Sequence, residues 1–398
     1  MLLNRICSFA LVAALGSSLL FATEPINAQA PTEINPDVCA TQNTGGDLSA
    51  DCLAMIKAFP HPNVKEIGQD KQTLDSYSFW KVGPAAVSEY DSPNGSVVGE
   101  IPRGYNFVSA VNLSVDGWLQ IQGGHWIKRD IAKLTKPSFF TGVTLPDHLK
   151  YPFAWVLDKS GIYTSETPGG APSANTKRTL VRYERVNLFA TAKDDKGAEW
   201  YMIGPNQWVK QTFLAVAKKT EIPKGVSGYW VAVDLYEQTL VAYEGDTPFF
   251  ATLVSSGLPT HDTNEGIFKV WARVGQDGMS GATGAPSAYA LQHVPWVMYF
   301  DQSISLHGTY WHDLFGYRQS HGCVNLTISD AKYLFDWMGA AKTTLQPPNG
   351  SQATEAATQS ADVVPSNPFT VQLDDKGQPT FFVDVYSSGK YGSGVLRQ

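Results

Sequence analysis

The chain has 398 residues, and this length predicts two to four domains rather than one. Hydrophobic residues make up 43% of the chain and charged residues 17%, which is typical of a globular protein and not of a disordered one. The formal net charge of -7 and the lack of long Lys/Arg runs exclude the basic surface that nucleic-acid binding requires, so we expect no nucleic-acid partner.

Residues 1–30 have the pattern of an export signal. Arg5 supplies the positive charge, Ile6 to Phe21 form an apolar core, and Ala28 to Ala30 form a small-residue cleavage site. The alternative is an uncleaved membrane anchor, which the short apolar core disfavours. We therefore expect a secreted, extracytoplasmic protein without a stable membrane span.

The cysteines divide into two groups once Cys7 leaves with the signal. Cys39 and Cys52 are close enough in sequence to form a disulfide within an N-terminal segment, residues 31–80. Cys323 then remains a free thiol, which is either buried and inert or used in chemistry.

Two segments share the pattern W-x-x-I-x-x-x-x-W-[IV]-K, beginning at Trp118 and at Trp200. Each follows a turn-rich stretch, and the alternating strands predict two small β-barrels, residues 81–150 and 151–222. Both resemble bacterial SH3-like domains, which implies either binding to peptidoglycan glycan strands or a spacer role. The tryptophans are predicted as core residues, with ligand stacking as the alternative.

A third β-rich region covers residues 226–345. Alternation predicts strands over 229–236, 240–243, 249–255, 266–274, 294–300 and 303–306. A helix is predicted from Thr327, because Thr327-x-x-Asp330 has the pattern of a capping box.

The C-terminal part is predicted as a flexible linker, residues 346–367, followed by a hairpin and tail, residues 368–398. The linker is rich in Thr, Ser, Ala, Gln and Pro, which cannot form a core. After it, the turn Asp374 to Gly377 separates two apolar runs, and the second run could return a strand to the third β-rich region.

Residues 307–325 bring three histidines close in sequence to the free cysteine, in a chain with eight histidines. An ordinary thiol has a pKa of about 8.5 and is mostly protonated at neutral pH, so a nucleophilic cysteine needs an imidazole or another cation beside it. Gly322 lets the backbone approach a substrate and directs amides toward a developing oxyanion. The pattern predicts Cys323 as a thiolate nucleophile.

The same stretch matches the signature of the L,D-transpeptidase catalytic domain: a His, a gap, [ST]-H-G-C, an apolar residue, and Asn or Arg. The resemblance covers roughly residues 228–340 and implies a β-sandwich without metal or cofactor. The predicted fold is therefore mainly β, with two SH3-like barrels followed by a β-sandwich catalytic domain that has one or two helices. The matching residues are His307, Ser320, His321, Gly322, Cys323, Val324 and Asn325.

The resemblance also implies roles for these residues. Cys323 is the nucleophile, His307 accepts and donates the proton, and His321 lies in the catalytic pocket with them. The Gly308 carbonyl orients His307, and the amides of Gly322 and Cys323 form an oxyanion hole. Three further positions are implied with smaller roles: Ser320 shaping the pocket, Asn325 bracing the loop beside the substrate, and Tyr299, like Tyr289, lining the pocket or packing in the core.

The reaction implied by the resemblance is acyl transfer between two peptidoglycan stem peptides, a donor and an acceptor, giving a 3-3 cross-link. Hydrolysis by the same site, an L,D-carboxypeptidase activity, is equally compatible with the sequence. The spacing of His307, His312, His321 and Cys323 does not fit a common zinc pattern, and His312 is expected to be exposed. A papain-like peptidase is disfavoured because its cysteine precedes its histidine, a sortase because its motif is missing, and a non-catalytic wall-binding protein because the catalytic motif is intact.

Overall fold

The computed structural model describes residues 31–40, 47–157, 159–174, 178–282, 287–344 and 370–389. The predicted signal, residues 1–30, and the predicted linker, residues 346–367, lie outside the described residues. No helix in the described ranges is both long enough and apolar enough to cross a membrane.

The chain is mainly β, and its elements follow one another in four groups. The N-terminal segment contains α1 (Pro36–Ala40), α2 (Ala50–Ala58), β1 (Lys65–Glu66) and α3 (Lys71–Ser76). The first β-unit, residues 78–135, contains β2 (Ser78–Val82), β3 (Val87–Tyr90), β4 (Val97–Ile101), β5 (Tyr105–Asn112), β6 (Trp118–Ile121), β7 (Trp126–Lys128) and β8 (Ala132–Thr135), and β9 (Val143–Thr144) follows it.

The second β-unit, residues 153–217, contains β10 (Phe153–Val156), β11 (Ile162–Tyr163), β12 (Thr179–Leu180), β13 (Arg185–Asn187), β14 (Ala190–Lys193), β15 (Glu199–Gly204), β16 (Gln207–Lys210) and β17 (Leu214–Ala217). The last group contains β18 (Tyr229–Asp234), β19 (Thr239–Glu244), β20 (Thr247–Leu253), β21 (Gly266–Lys269), β22 (Ala272–Gly281), β23 (Tyr289–Asp301), β24 (Ile304–Thr309), β25 (Val324–Thr327), α4 (Ile328–Thr344) and β26 (Phe381–Tyr386).

Two sheets pack face to face in the last group. The first has the strand order β1-β9-β20-β19-β18-β26-β21, and the second contains β25, β24, β23 and β22. Their facing side chains, such as Val231 and Phe250 against Met298 and Leu306, share one core with Leu334 of α4. This apolar core fixes the position of β24 and β25, the two strands that carry the candidate site.

Strands from outside residues 226–345 complete both sheets of this sandwich. β26 lies parallel to β18, with Tyr229 opposite Phe381, so the second apolar run of the C-terminal hairpin does return a strand to this region. β9 pairs with β20, and β5 of the first β-unit pairs with β23. With β1, which pairs with β9, the sandwich is therefore assembled from five separate parts of the chain.

The two copies of the repeat form hairpins with the same register. Trp118 lies opposite Lys128 and Gln120 opposite Trp126 in the first copy. In the second copy Trp200 lies opposite Lys210 and Met202 opposite Trp208. A 3-10 turn and a strand follow each hairpin, and all four tryptophans are buried, which confirms the core prediction for them.

The second β-unit packs on the outer face of the seven-stranded sheet. Phe153 and Trp155 of β10 share a core with Trp230 and Tyr243 of β18 and β19. Its opposite side holds the N-terminal segment, where Cys39 and Cys52 form a disulfide, and Met55 packs against the same second β-unit.

Candidate functional site

A cavity opens at the edge where β24 and β25 lie side by side, and it holds the predicted nucleophile. β24 and β25 are parallel, with Leu306 opposite Val324 and His307 opposite Asn325. The residues that precede Val324 therefore lie beside the residues that precede Leu306. The cavity is lined by Tyr105, Met279, Tyr289, Leu291, His307, Trp311, Gln319, Ser320, His321, Cys323 and Asn325. The structure thus brings Cys323, His307 and His321 together in one cleft.

The turn that carries Cys323 is held by several hydrogen bonds. The Ser320 hydroxyl donates to the Cys323 carbonyl (2.5 Å) and accepts from the Gly322 amide (3.1 Å). Thr263 Oγ1 donates to the Gly322 carbonyl (2.7 Å), and Arg318 holds the neighbouring loop through the Gly257 carbonyl. Such a closed network keeps the thiol in one position before substrate arrives.

Glycine is required at position 322 for two reasons. Its φ is +117°, a conformation that side-chain-bearing residues rarely adopt, and an added Cβ would lie 2.7 Å from Ile304 Cδ1. The Gly322 amide is predicted to belong to an oxyanion hole, but in this structure it donates its hydrogen bond to Ser320 Oγ. No hydrogen bond joins the Cys323 amide to the described residues, so this amide is the available donor of the predicted pair.

His307 lies inside β24 and is almost fully buried, with an exposed fraction of 1%. The strand predicted over residues 303–306 is therefore too short, because β24 continues through His307 and Gly308 to Thr309. Its Nδ1 lies 3.2 Å from the Gly308 carbonyl oxygen. Since a carbonyl only accepts, Nδ1 carries the proton, and Nε2 of the neutral ring is left to accept one.

Burial sets the charge of both groups at rest. It lowers the pKa of His307 to about 4 and raises the pKa of the Cys323 thiol, an effect that hydrogen bonding from Ser305 partly offsets. Ser305 Oγ lies 3.8 Å from Cys323 Sγ. These directions favour a neutral thiol beside a neutral imidazole, which differs from the resting thiolate expected from the motif.

His321 forms an aromatic wall of the cavity. Its ring centroid lies 5.0 Å from that of Tyr289 and 4.3 Å from that of His261. Burial, with the nearby His261 as a smaller cause, lowers the pKa of His321. The ring therefore stays neutral near pH 7 and offers a stacking surface rather than a positive charge.

Asn325 and His312 form a pair beneath the cavity. The Asn325 side chain is 1% exposed, and its Nδ2 lies 2.9 Å from His312 Nε2. His312 Nδ1 accepts from the Leu314 amide, and burial lowers the pKa of His312 to about 3. The expectation of an exposed His312 is therefore wrong: it packs against Phe315 and braces Asn325, two residues after the nucleophile.

Tyr299 is not among the cavity-lining residues found in the described part of the chain. It is opposite Ser305 on the neighbouring strand, donates to Asp277 Oδ2 (2.9 Å) and stacks on the exposed Trp271. Burial, together with its bond to Asp277, raises the pKa of Tyr299 to about 12. Of the two tyrosines considered from the sequence, Tyr289 lines the cavity.

Several contact residues carry no signal in the local sequence. Ser305 and Thr263 bond to the nucleophile and its turn. Tyr105 lines the cavity from a distant segment, and His261, also distant in sequence, contacts the His321 ring. Trp311 and Gln319 line the cavity from within residues 307–325, and the ring centroid of Trp311 is 5.6 Å from that of His307.

Residues 228–351 match the family model described as the YkuD L,D-transpeptidase catalytic domain. No curated protein matches the chain. Among solved structures, an L,D-transpeptidase from Stackebrandtia nassauensis is 31% identical over 30% of this chain and 53% of its own, with a TM-score of 0.23. A mutant L,D-transpeptidase from Enterococcus faecium is 27% identical over 30% and 50%, with a TM-score of 0.26. The chain spans about half the length of these two proteins. Residues 228–351 are accordingly a YkuD-family L,D-transpeptidase catalytic domain.

Proposed function

We propose that the protein is an L,D-transpeptidase that cross-links peptidoglycan through Cys323. The donor is a stem tetrapeptide that loses its terminal D-Ala, and the acceptor is an amine of a neighbouring stem, which gives a 3-3 cross-link. One observation carries the proposal: within the matched domain, Cys323 shares a cavity with a histidine whose Nδ1 is held by a backbone carbonyl.

The chemistry begins from the neutral pair. As Cys323 Sγ attacks the carbonyl of the third stem residue, its proton passes to His307 Nε2. The negative oxygen of the tetrahedral intermediate accepts a hydrogen bond from the Cys323 amide, and from Gly322 once Ser320 releases that amide. Collapse breaks the peptide bond, and His307 returns the proton to the departing amine of D-Ala, leaving a thioester.

The second half of the cycle reverses these roles. The acceptor amine attacks the thioester carbonyl, His307 Nε2 takes the proton of that amine, and the Cys323 thiolate leaves and regains the proton. If water replaces the amine, the product is a shortened stem, which is the L,D-carboxypeptidase outcome. The apolar and aromatic lining of the cavity supports transfer, since it limits the number of water molecules beside the thioester.

Two wider parts of the proposal concern place and partners. The predicted signal and the nature of the substrate support a secreted protein that acts at the cell wall. The two β-units, whose repeated hairpins resemble SH3-like domains, are proposed to contact glycan strands.

The proposal is tested with purified protein and a disaccharide-tetrapeptide. We expect release of D-Ala and formation of a cross-linked dimer, both measured by mass spectrometry. Cys323→Ala should abolish both products, and His307→Ala should lower the rate by about a hundredfold or more. Release of D-Ala without dimer would identify the carboxypeptidase, and unchanged products in Cys323→Ala would refute the assigned nucleophile.

A further inference from the structure

The first β-unit, residues 78–135, supplies part of the wall around Cys323. Tyr105, the first residue of β5, lines the cavity, and its hydroxyl donates to the Trp311 carbonyl at 3.4 Å. Its side chain is nevertheless 43% exposed, so the ring presents a free surface at the cavity mouth. Tyr105 lies far outside residues 228–351, the part of the chain that the family model matches.

Tyr105 is held in this place by the backbone. β5 runs parallel to β23, with Tyr105 opposite Tyr289, and the Tyr105 amide donates to the Ala288 carbonyl at 2.8 Å. The preceding Gly104 approaches so closely that an added Cβ would lie 2.6 Å from the same carbonyl oxygen. Two tyrosines from different parts of the chain thus form one continuous wall.

A shared hydrophobic core makes this attachment rigid. Phe79 of β2 stacks on Tyr310 with ring centroids 3.9 Å apart. Phe107 of β5 is buried in the same cluster, together with Leu291 and Val297 of β23. A module that only spaces the catalytic domain from another structure has no need to bury its core with the strand that borders the active site.

The distribution of charged side chains around the cavity also indicates a role for the first β-unit. No Lys, Arg, Asp or Glu is present in the lining found among the described residues. Lys81 of β2 lies over the Tyr105 ring, with its Nζ 4.8 Å from the centroid of that ring and 5.9 Å from that of Phe107. Lys81 is exposed, so its ammonium can also meet a negative group that rests against the ring.

We propose that the first β-unit is part of the substrate site, in which Tyr105 contacts the acyl-donor stem peptide and Lys81 pairs with one of its carboxylates. This inference rests on the proposed function, because it takes an anionic peptide as the donor. The neutral cavity binds the reacting residue, and the donor's charge is met at the rim by a residue outside the catalytic domain.

The variants Tyr105→Ala and Lys81→Met test the two contacts by steady-state release of D-Ala from the disaccharide-tetrapeptide. Each should raise KM about tenfold while kcat changes less than about threefold, since neither residue touches the reacting atoms. Matched controls come from outside both β-units: Phe139→Ala, on a ring that is 72% exposed, and Lys269→Met, an exposed lysine whose Nζ lies 5.6 Å from the centroid of the Phe382 ring. Both controls should keep the KM of the unaltered protein.

The carboxylate is identified with donors in which each carboxylate in turn is replaced by a carboxamide. Lys81→Met should raise KM for every donor except the one that lacks the paired carboxylate. Alkylation of Cys323 by iodoacetamide should be unaffected by Lys81→Met, which separates a binding defect from a change in the thiol.

The outcomes separate this inference from the proposed function. Lack of D-Ala release by the unaltered protein would overturn the proposed function, and this inference with it. Normal release, with KM in both variants equal to that of the controls, would overturn this inference alone. If Tyr105→Ala lowers the melting temperature, Lys81→Met decides, because the Lys81 side chain is exposed and its ammonium lies over the two rings.

Discussion

At the scale of single residues, His307 and Cys323 determine how the rate depends on pH. Burial lowers the pKa of His307 to about 4, so the imidazole is neutral and able to accept a proton at every pH above that value. We expect kcat/KM for D-Ala release to fall only as the pH drops toward 4. A fall already centred near the ordinary imidazole pKa of about 6.5 would contradict this environment.

The thiol itself is open to a direct measurement. Burial raises the pKa of Cys323 and Ser305 opposes that rise, so Ser305→Ala should move the iodoacetamide alkylation profile to higher pH. Ser303→Ala is the matched control, because Ser303 meets Sγ through its carbonyl at 3.9 Å and not through its hydroxyl. An alkylation rate that is already maximal near pH 6 would show a resting thiolate and refute the neutral pair.

Gly322 gives a steric test of the turn. Gly322→Ala should lower D-Ala release at least about tenfold, because a positive φ costs roughly 1–3 kcal/mol and the new Cβ meets Ile304 Cδ1 at 2.7 Å. Adding Ile304→Val removes that methyl group and should recover part of the rate. Gly275→Ala, where an added Cβ meets nothing within 4 Å, should match the unaltered protein.

At the scale of elements, the first turn of α4 joins three parts of the fold through Asp330. Its buried carboxylate accepts from the Gly142 amide (2.7 Å) and from Thr252 Oγ1 (2.6 Å). Thr327 Oγ1 accepts from the Asp330 amide at 3.1 Å, so Thr327 does cap the helix. The second hydrogen bond of a capping box would run from the Thr327 amide to the Asp330 carboxylate. In the described residues this carboxylate bonds to Gly142 and Thr252 instead.

This carboxyl makes stability depend on pH. Burial raises the pKa of Asp330 to about 6, so the folded state favours the protonated form and loses stability as the pH rises through that value. Between pH 4.5 and 7.5 the loss is about 2 kcal/mol. Asp330→Asn should remove this contribution in chemical denaturation at the two pH values, whereas Asp336→Asn, on an exposed carboxylate, should retain it. An equal pH response in both variants would refute the assignment.

Local patterns predicted most strands of the sandwich and the central residues of its site. They did not predict the strand pairing and the site residue that a distant segment contributes. Alternation placed β18, β19 and β20 within two residues of their ends. The motif put Cys323 and His307 in one cleft because the turn that carries Cys323 leads directly into β25, the neighbour of the strand β24 that carries His307. β23 was predicted over residues 294–300 but begins at Tyr289, where it pairs with β5. That pairing joins segments about 180 residues apart, so no local period could indicate it or the position of Tyr105.

At the scale of the whole molecule, the two β-units relate to the site differently. The first shares strands and a core with the strand that borders the cavity, whereas the second packs on the outer face of the opposite sheet. The Cys39–Cys52 disulfide packs against the second β-unit, away from the cavity. Its half-cystines are fully buried with Trp200, Met202 and Trp208, and none of these residues lines the cavity.

Removing that disulfide should therefore separate stability from activity. A closed loop of this length contributes about 3 kcal/mol, so a Cys39→Ala/Cys52→Ala variant should lose protection from hydrogen exchange in residues 189–208 by about that amount. D-Ala release at 25 °C should stay within about twofold, because β24 and β25 keep their own core with α4. Equal loss of protection in β24, or a parallel loss of activity, would mean that the second β-unit supports the catalytic sandwich through their shared core at Trp155 and Trp230.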